Sequence, residues 1–175
     1  MKTVFAAAFL VAMVLAANRA TPQPPRPALP DERLAFLVGE WRTTNRMYEN
    51  GHTTESVGTA RYRWDLDNTW LVFESRIGGE KSGHYEVRGG VARLPAGGYR
   101  AFAYNSLGFL IVYEGAWEGD TRLVFTALGT EAGKGSRVAY EKLATGGVRL
   151  LSQRQLPDGS YFTYFEAALH NGAGP

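Results

Sequence analysis

Gly39-Glu40-Trp41 stands between a short helix-like segment, Asp31–Val38, and a long series of short strand-like segments. Glycine lets a chain turn sharply from helix to strand. Tryptophan supplies the largest apolar side chain available to close one end of a barrel. The motif therefore predicts the start of a β-barrel that is sealed by Trp41, and it carries no information about what the barrel holds.

From Trp41 onward, apolar or aromatic stretches alternate with turn residues at regular intervals. The predicted strands are Glu40–Tyr48, Thr53–Leu66, Trp70–Ile77, Ser82–Arg88, Tyr99–Tyr104, Phe109–Trp117, Thr121–Ala127, Ser136–Leu143, Val148–Gln155 and Tyr161–Leu169. Gly89-Gly90 is interpreted as a turn, with Val91–Leu94 as a further short strand. Closure removes the exposed edges of such a sheet. We predict an all-β, antiparallel, up-and-down closed barrel of about ten strands, with the short N-terminal helix plugging one end.

The N-terminal residues have the pattern of a secretory signal peptide, predicted over residues 1–20. Lys2 is followed by the apolar stretch Val4–Ala17, and cleavage is expected after Ala16, Ala17 or Ala20. Residues 21–30 form a Pro-rich linker, residues 31–170 the barrel domain, and residues 171–175 a flexible tail. The absence of cysteine excludes a lipid-modified cysteine and fits a bacterial periplasmic protein. We expect a periplasmic or secreted protein without stable membrane insertion after cleavage; an uncleaved N-terminal anchor is the alternative.

The charge pattern argues against nucleic acid as a partner. There are 19 Lys and Arg against 17 Asp and Glu, and the arginines are scattered rather than clustered. Two predicted strands, Phe109–Trp117 and Tyr161–Leu169, are apolar or aromatic on both faces. An apolar outer face needs a cover, and the candidates are the N-terminal helix or a second copy of the barrel, so a homodimer is a second expectation.

Several motifs together resemble an uncharacterised bacterial family of lipocalin-like, or calycin-like, β-barrels. They are the Leu37-Val38-Gly39-Glu40-Trp41 stretch, the strand end Arg63–Asp67, the aromatic strand Trp70–Glu74 and the Tyr113-Glu114-Gly115-x-Trp117 run. The resemblance implies a barrel with a cavity and no established activity. In the wider calycin group the first-strand Trp packs against an Arg from a late strand; Arg154 best matches that position, and Arg149 is second.

A second resemblance is to the nitrobindin-like haem barrels, which place a haem-binding His near the C-terminal strand. His170 is the matching residue, but Trp41 is followed by Arg42-Thr43-Thr44 instead of the glycine-rich continuation of that family. No cofactor or metal is therefore expected, and haem on His170 is kept as an alternative.

The aromatic strands favour binding of a small apolar or amphipathic molecule without catalysis. The expected ligand-binding residues are Tyr62, Trp64, Phe73, His84, Phe102 and Tyr113. The alternative is an enzyme that uses the barrel as a reaction chamber, with His84 and one of Glu74, Glu86 or Glu114 as an acid–base pair. That alternative requires those carboxylates to point inward.

Overall fold

The structure, a computed structural model, describes residues 30–78, 85–129 and 135–171. The predicted signal peptide, nearly all of the predicted linker, most of the predicted tail and His84 lie outside the described residues.

Within these ranges the chain forms ten strands that close into an antiparallel barrel. Each strand pairs with its neighbours in sequence, and the first strand pairs with the last. The strands are β1 (Gly39–Glu49), β2 (His52–Asp65), β3 (Trp70–Ile77), β4 (Tyr85–Arg93), β5 (Tyr99–Asn105), β6 (Leu110–Glu118), β7 (Arg122–Ala127), β8 (Ser136–Lys142), β9 (Val148–Gln155) and β10 (Tyr161–Asn171). The predicted up-and-down closed barrel is confirmed.

The junction at Gly39 has the conformation that the motif requires. Gly39 has a φ of 140°, which residues with a side chain rarely adopt. Trp41 then lies on the inner face of β1, is 5% exposed, and donates from Nε1 to the carbonyl of Leu37 at 2.8 Å. The chain thus turns at Gly39 so that the indole returns onto the segment before it.

A short 3-10 helix, Glu32–Leu37, precedes β1 and lies at the end of the barrel where β2–β3, β4–β5, β6–β7 and β8–β9 are joined, here called the closed end. Leu34 and Leu37 of this helix are fully buried in the core. The side chain of Asp31 caps the helix by accepting from the backbone N–H of Arg33 at 3.0 Å.

Hydrogen bonds connect the start of this helix to two strands at the closed end. Trp117 Nε1 donates to the Tyr99 hydroxyl at 2.9 Å, and that hydroxyl donates to Asp31 Oδ2 at 2.7 Å. Burial, and then the bond to Asp31, raise the pKa of Tyr99. The polar groups of these three side chains are therefore all paired.

The prediction of a turn at Gly89-Gly90 is wrong, because β4 runs through both glycines to Arg93. A Cβ at Gly89 would lie 2.1 Å from the carbonyl oxygen of Phe102 and 2.6 Å from the ring of Phe73. A Cβ at Gly90 would lie 3.1 Å from the ring of Trp70 on the other face. The two glycines give large aromatic side chains room to lie across the strand on both sides of the wall.

None of the helices in the described part of the chain is long and apolar enough to cross a membrane.

Candidate functional site

The barrel encloses a cavity of about 470 Å³ between the closed end and the opposite end. Its wall is mainly aromatic and aliphatic, contributed by inward-facing residues such as Phe73, Val91, Tyr113, Phe125 and Leu150. A volume of several hundred Å³ is typical of pockets that take one small organic molecule. The interior is therefore only partly filled by side chains, which is one of the two outcomes for a small barrel.

The cavity reaches the surface at the end that carries the β1–β2, β5–β6 and β9–β10 turns, here called the open end. Met47, Leu107 and Phe109 border the cavity there and are 46%, 68% and 49% exposed. Exposed apolar side chains around a concave opening are typical of a binding site for an apolar molecule.

Asn105 holds the turn between β5 and β6 at this opening. Its Oδ1 accepts from the backbone N–H groups of Leu107 at 3.0 Å and Phe109 at 3.2 Å. Its Nδ2 donates to the Tyr85 hydroxyl at 2.8 Å. The amide of Asn105 is fully engaged within the protein.

Two polar side chains of β1, Thr43 and Asn45, differ from Asn105 in this respect. Both border the cavity, with Thr43 4% exposed and Asn45 1% exposed. Among the described residues, Thr43 Oγ1 and both Asn45 side-chain atoms, Oδ1 and Nδ2, have no hydrogen-bond partner. A buried polar group left in this way costs about 1–3 kcal/mol of folding free energy.

Phenol groups supply the other main polar surface of the cavity. Tyr62 and Tyr140 meet hydroxyl to hydroxyl at 3.4 Å with their rings edge to face. Burial raises the pKa of both, and of Tyr113 as well. The phenols therefore stay neutral at physiological pH.

The described wall of the cavity carries no charged side chain: Asp, Glu, Lys, Arg and His are all missing from it. An ion placed inside would lose its hydration without gaining an opposite charge from these residues. The electrostatics of the cavity therefore favour uncharged molecules.

The structure places three of the expected ligand-binding residues, Tyr62, Phe73 and Tyr113, along the cavity wall. Phe102 is also at its boundary, but alternation along β5 turns its ring outward, where it packs edge to face on Trp70 with centroids 5.5 Å apart. Trp64 lies further toward the closed end and is packed against the core instead of bordering the cavity. His84 lies outside the described residues.

The expected packing of Arg154 against Trp41 is wrong. Arg154 is exposed on β9 and lies 5.3 Å from the centre of the Phe162 ring. Arg154 pairs with Phe162 of β10, whereas Trp41 pairs with Asn171 of the same strand. Phe162 and Asn171 are nine residues apart, which is about 30 Å along a strand at ~3.3 Å per residue. The second candidate, Arg149, is on the outer face and binds Glu141 through Nε at 2.8 Å. Trp41 is held by the carbonyl of Leu37 instead.

The acid–base hypothesis is wrong for all three carboxylates that it named, because they lie on the outer face. Glu74 and Glu114 are exposed, and Glu114 accepts from Arg100 at 2.6 Å. Glu86 is paired with Arg76 at 3.1 Å. Strand alternation alone does not fix which face is inside, and the structure settles it for these residues.

His170 does not fit the role of a haem ligand in the cavity. It is exposed on β10, opposite the exposed Arg42 of β1, and the inward positions beside it are Leu169 and Asn171. An imidazole on the outer surface near the closed end cannot reach the interior. Of the described residues, no group of three or more His, Asp and Glu side chains is placed to hold a metal ion.

Sequence reasoning missed Thr43 and Asn45. The signal was present, because Trp41, Thr43, Asn45 and Met47 alternate along β1 and share the face of Trp41. Two polar residues on the face of a barrel-closing Trp are unusual in a packed strand. What the sequence lacks is any sign that their partners are missing.

No protein-family model matches this sequence, and no curated protein matches it. Among solved structures, the fold is similar to the crystal structure of Rv2717c from M. tuberculosis, with a TM-score of 0.57 and 11% identity over 82% of this chain and 99% of that one. A redesigned β-barrel also matches, with a TM-score of 0.39 and 13% identity over 79% of this chain and 94% of that one. At such identities the likeness to Rv2717c concerns the fold alone. The family expected from the sequence motifs stays a prediction.

Proposed function

We propose that this protein is a non-catalytic carrier or receptor that binds one small apolar or amphipathic molecule inside its barrel. The observation that carries the proposal is the cavity of about 470 Å³ with its aromatic and aliphatic wall. Its exposed apolar rim at Met47, Leu107 and Phe109 supports entry from the open end. Burial of apolar ligand surface supplies the driving force, about 25 cal/mol per Å².

The place of action that we propose is the bacterial periplasm or the medium outside the cell. This part of the proposal depends on the signal-like pattern of residues 1–20 and on the lack of cysteine. Sequencing the N-terminus of the protein recovered from a periplasmic extract tests it, and an intact Met1 in a membrane fraction would contradict it.

Native mass spectrometry of the protein purified from its own periplasm tests the binding function. We expect a mass above that of the mature chain which disappears on denaturation and identifies the ligand class. A second assay titrates the protein with diphenylhexatriene, an apolar dye that fluoresces when it leaves water. If neither a retained mass nor dye binding is found, the proposal fails.

A matched pair of variants locates the bound dye. Ala103 faces the cavity and Ala116 is exposed on the outer face of the neighbouring strand. We expect Ala103→Phe to fill part of the cavity and weaken dye binding at least about tenfold, while Ala116→Phe leaves it unchanged. Equal effects of the two variants would place the dye outside the barrel.

A second candidate function, self-association, is favoured by the outer face of β5 and β6. Phe102 pairs with Val112 and Tyr104 with Leu110, so four apolar side chains are adjacent, and Tyr104 and Leu110 are 47% and 60% exposed. Light scattering at increasing concentration tests for a dimer. We expect Leu110→Glu to abolish it and Val57→Glu, on β2, to leave it intact; a monomer at all concentrations rules it out.

A further inference from the structure

We propose that Asn45, assisted by Thr43, binds the polar head of the ligand, and that this head is an uncharged group that both donates and accepts hydrogen bonds, such as a primary amide. This inference rests on the proposed binding function and names the ligand class for the same cavity. The two side chains lie on adjacent inward positions of β1.

The amide of Asn45 can both accept and donate hydrogen bonds. Its side chain carries an acceptor, Oδ1, and a two-hydrogen donor, Nδ2, and neither atom has a partner among the described residues although the residue is 1% exposed. Thr43 Oγ1, two residues away on the same face, adds a hydroxyl that also has no partner among the described residues. A ligand amide pairs with both functions of an asparagine amide at once.

The surroundings of Asn45 exclude an ordinary structural explanation among the described residues. Its cross-strand neighbours are Ser56 on β2 and Ala167 on β10, and neither makes a hydrogen bond to its side-chain amide. Asn105, which borders the same cavity, has both amide atoms engaged by the protein. The amide of one cavity asparagine is thus bonded within the protein, whereas that of the other has no partner among the described residues.

The lack of charged side chains in the described cavity wall limits which polar head groups can bind. With no cationic side chain among the described wall residues, a carboxylate would be desolvated without a counter-charge. The phenols of Tyr62 and Tyr140 keep their protons and offer only neutral hydrogen bonds. An uncharged amphiphile with an apolar tail along Phe73, Tyr113 and Phe125 fits the whole cavity.

Competition against bound diphenylhexatriene tests the inference. At about pH 8 we expect decanamide to displace the dye from the wild-type protein at a concentration at least about tenfold lower than decanoate or N,N-dimethyldecanamide, which lacks the donor. In Asn45→Leu we expect that advantage to disappear while the dye still binds. Asn171→Leu, the same change at an exposed position at the closed end, should behave as wild type.

The outcomes separate this inference from the proposed function. If the dye binds but decanamide shows no advantage, or keeps it in Asn45→Leu, the head group is not held by Asn45 and the inference fails alone. Tighter binding of decanoate than of decanamide overturns the uncharged class. If neither dye nor decanamide binds the wild-type protein, the binding function itself fails. Should Asn45→Leu not fold, Thr43→Val replaces it, with a smaller loss of the decanamide advantage expected.

Discussion

The closed end of the barrel and the cavity wall at Asn45 both bury polar side-chain atoms, but the two regions differ in whether those atoms are hydrogen-bonded. At the closed end the indole N–H groups of Trp41 and Trp117 and the hydroxyl of Tyr99 all have partners within 2.9 Å. At the cavity wall the side chains of Thr43 and Asn45 have none among the described residues. Satisfied buried polar groups fix a structure, whereas unsatisfied ones are kept against a cost in stability. The difference separates the part of the barrel that supports the fold from the part that we propose binds the ligand.

The largest expected effect comes from breaking the closed end at Trp41. We expect Trp41→Ala to lower the free energy of unfolding by about 3–5 kcal/mol, because it removes a nearly fully buried indole and leaves a void beside Leu37. Urea denaturation measures this. Trp41→Phe keeps a ring but loses the bond to Leu37, so its loss should be smaller, about 1–2 kcal/mol. A loss below 1 kcal/mol for Trp41→Ala would show that the closed end does not hold the fold.

At the cavity wall we expect a substitution to raise the free energy of unfolding instead of lowering it. Asn45→Leu should raise the free energy of unfolding by about 1–3 kcal/mol, because it removes an amide without a partner among the described residues and adds apolar contact beside the cavity. Asn105→Leu, the same substitution at the engaged asparagine, should lower it by a similar amount, since two backbone N–H groups and the Tyr85 hydroxyl lose their partner. If both variants lose stability equally, Asn45 has a structural partner and the two regions do not differ.

At the closed end, removal of the helix cap should have an intermediate effect on the free energy of unfolding. Asp31→Ala removes the acceptor of both the Arg33 N–H and the Tyr99 hydroxyl. We expect a loss of about 0.5–2 kcal/mol in urea denaturation. Asp31→Asn keeps an oxygen for the cap and should recover most of that loss; if Asp31→Ala is neutral, the helix contributes little to sealing this end.

The sequence predicts the strands and the closure of this barrel better than the contacts in its interior. Ten strands follow from the alternation and the turns, and Gly39 with Trp41 marks the closed end, because these patterns depend on local geometry. The pairing of Arg154 with Trp41 is wrong, and Phe102 borders the cavity with its ring turned outward; the two cases have different reasons. Which end of a late strand lies near Trp41 depends on register across the closed barrel, and which face of β5 lies inside depends on strand pairing. Gly89-Gly90 looks like a turn locally, and only the aromatic rings on both sides of it explain the continuous strand.

The lack of hydrogen-bond partners for Asn45 among the described residues is even harder to predict from the sequence. An absent hydrogen bond is a property of all surrounding elements together, here β1, β2, β10 and the cavity. Polarity at Thr43 and Asn45 is visible in the alternation of β1, but its cost is visible only once the barrel is closed.

The smallest expected effect concerns pH, where the two regions should behave alike. Burial raises the pKa of Tyr99 at the closed end and of Tyr62, Tyr113 and Tyr140 at the cavity. The folded state therefore holds these phenol protons more tightly than the unfolded chain, whose tyrosines titrate near pH 10. Their contribution to stability is complete below about pH 10 and is lost as the pH rises through the folded-state values.

We therefore expect the tyrosines to leave both the free energy of unfolding and decanamide affinity flat between about pH 7 and 9, with stability falling above about pH 10. Tyr113→Phe removes one of these titrating groups, and each such group accounts for at most about 1.4 kcal/mol per pH unit. Urea denaturation of the two proteins at a series of pH values should show a shallower alkaline decline for the variant. A rise in wild-type stability between pH 7 and 9 that Tyr113→Phe abolishes would mean that this phenol ionises in the folded barrel, and the cavity would then be neither neutral nor selective for uncharged ligands.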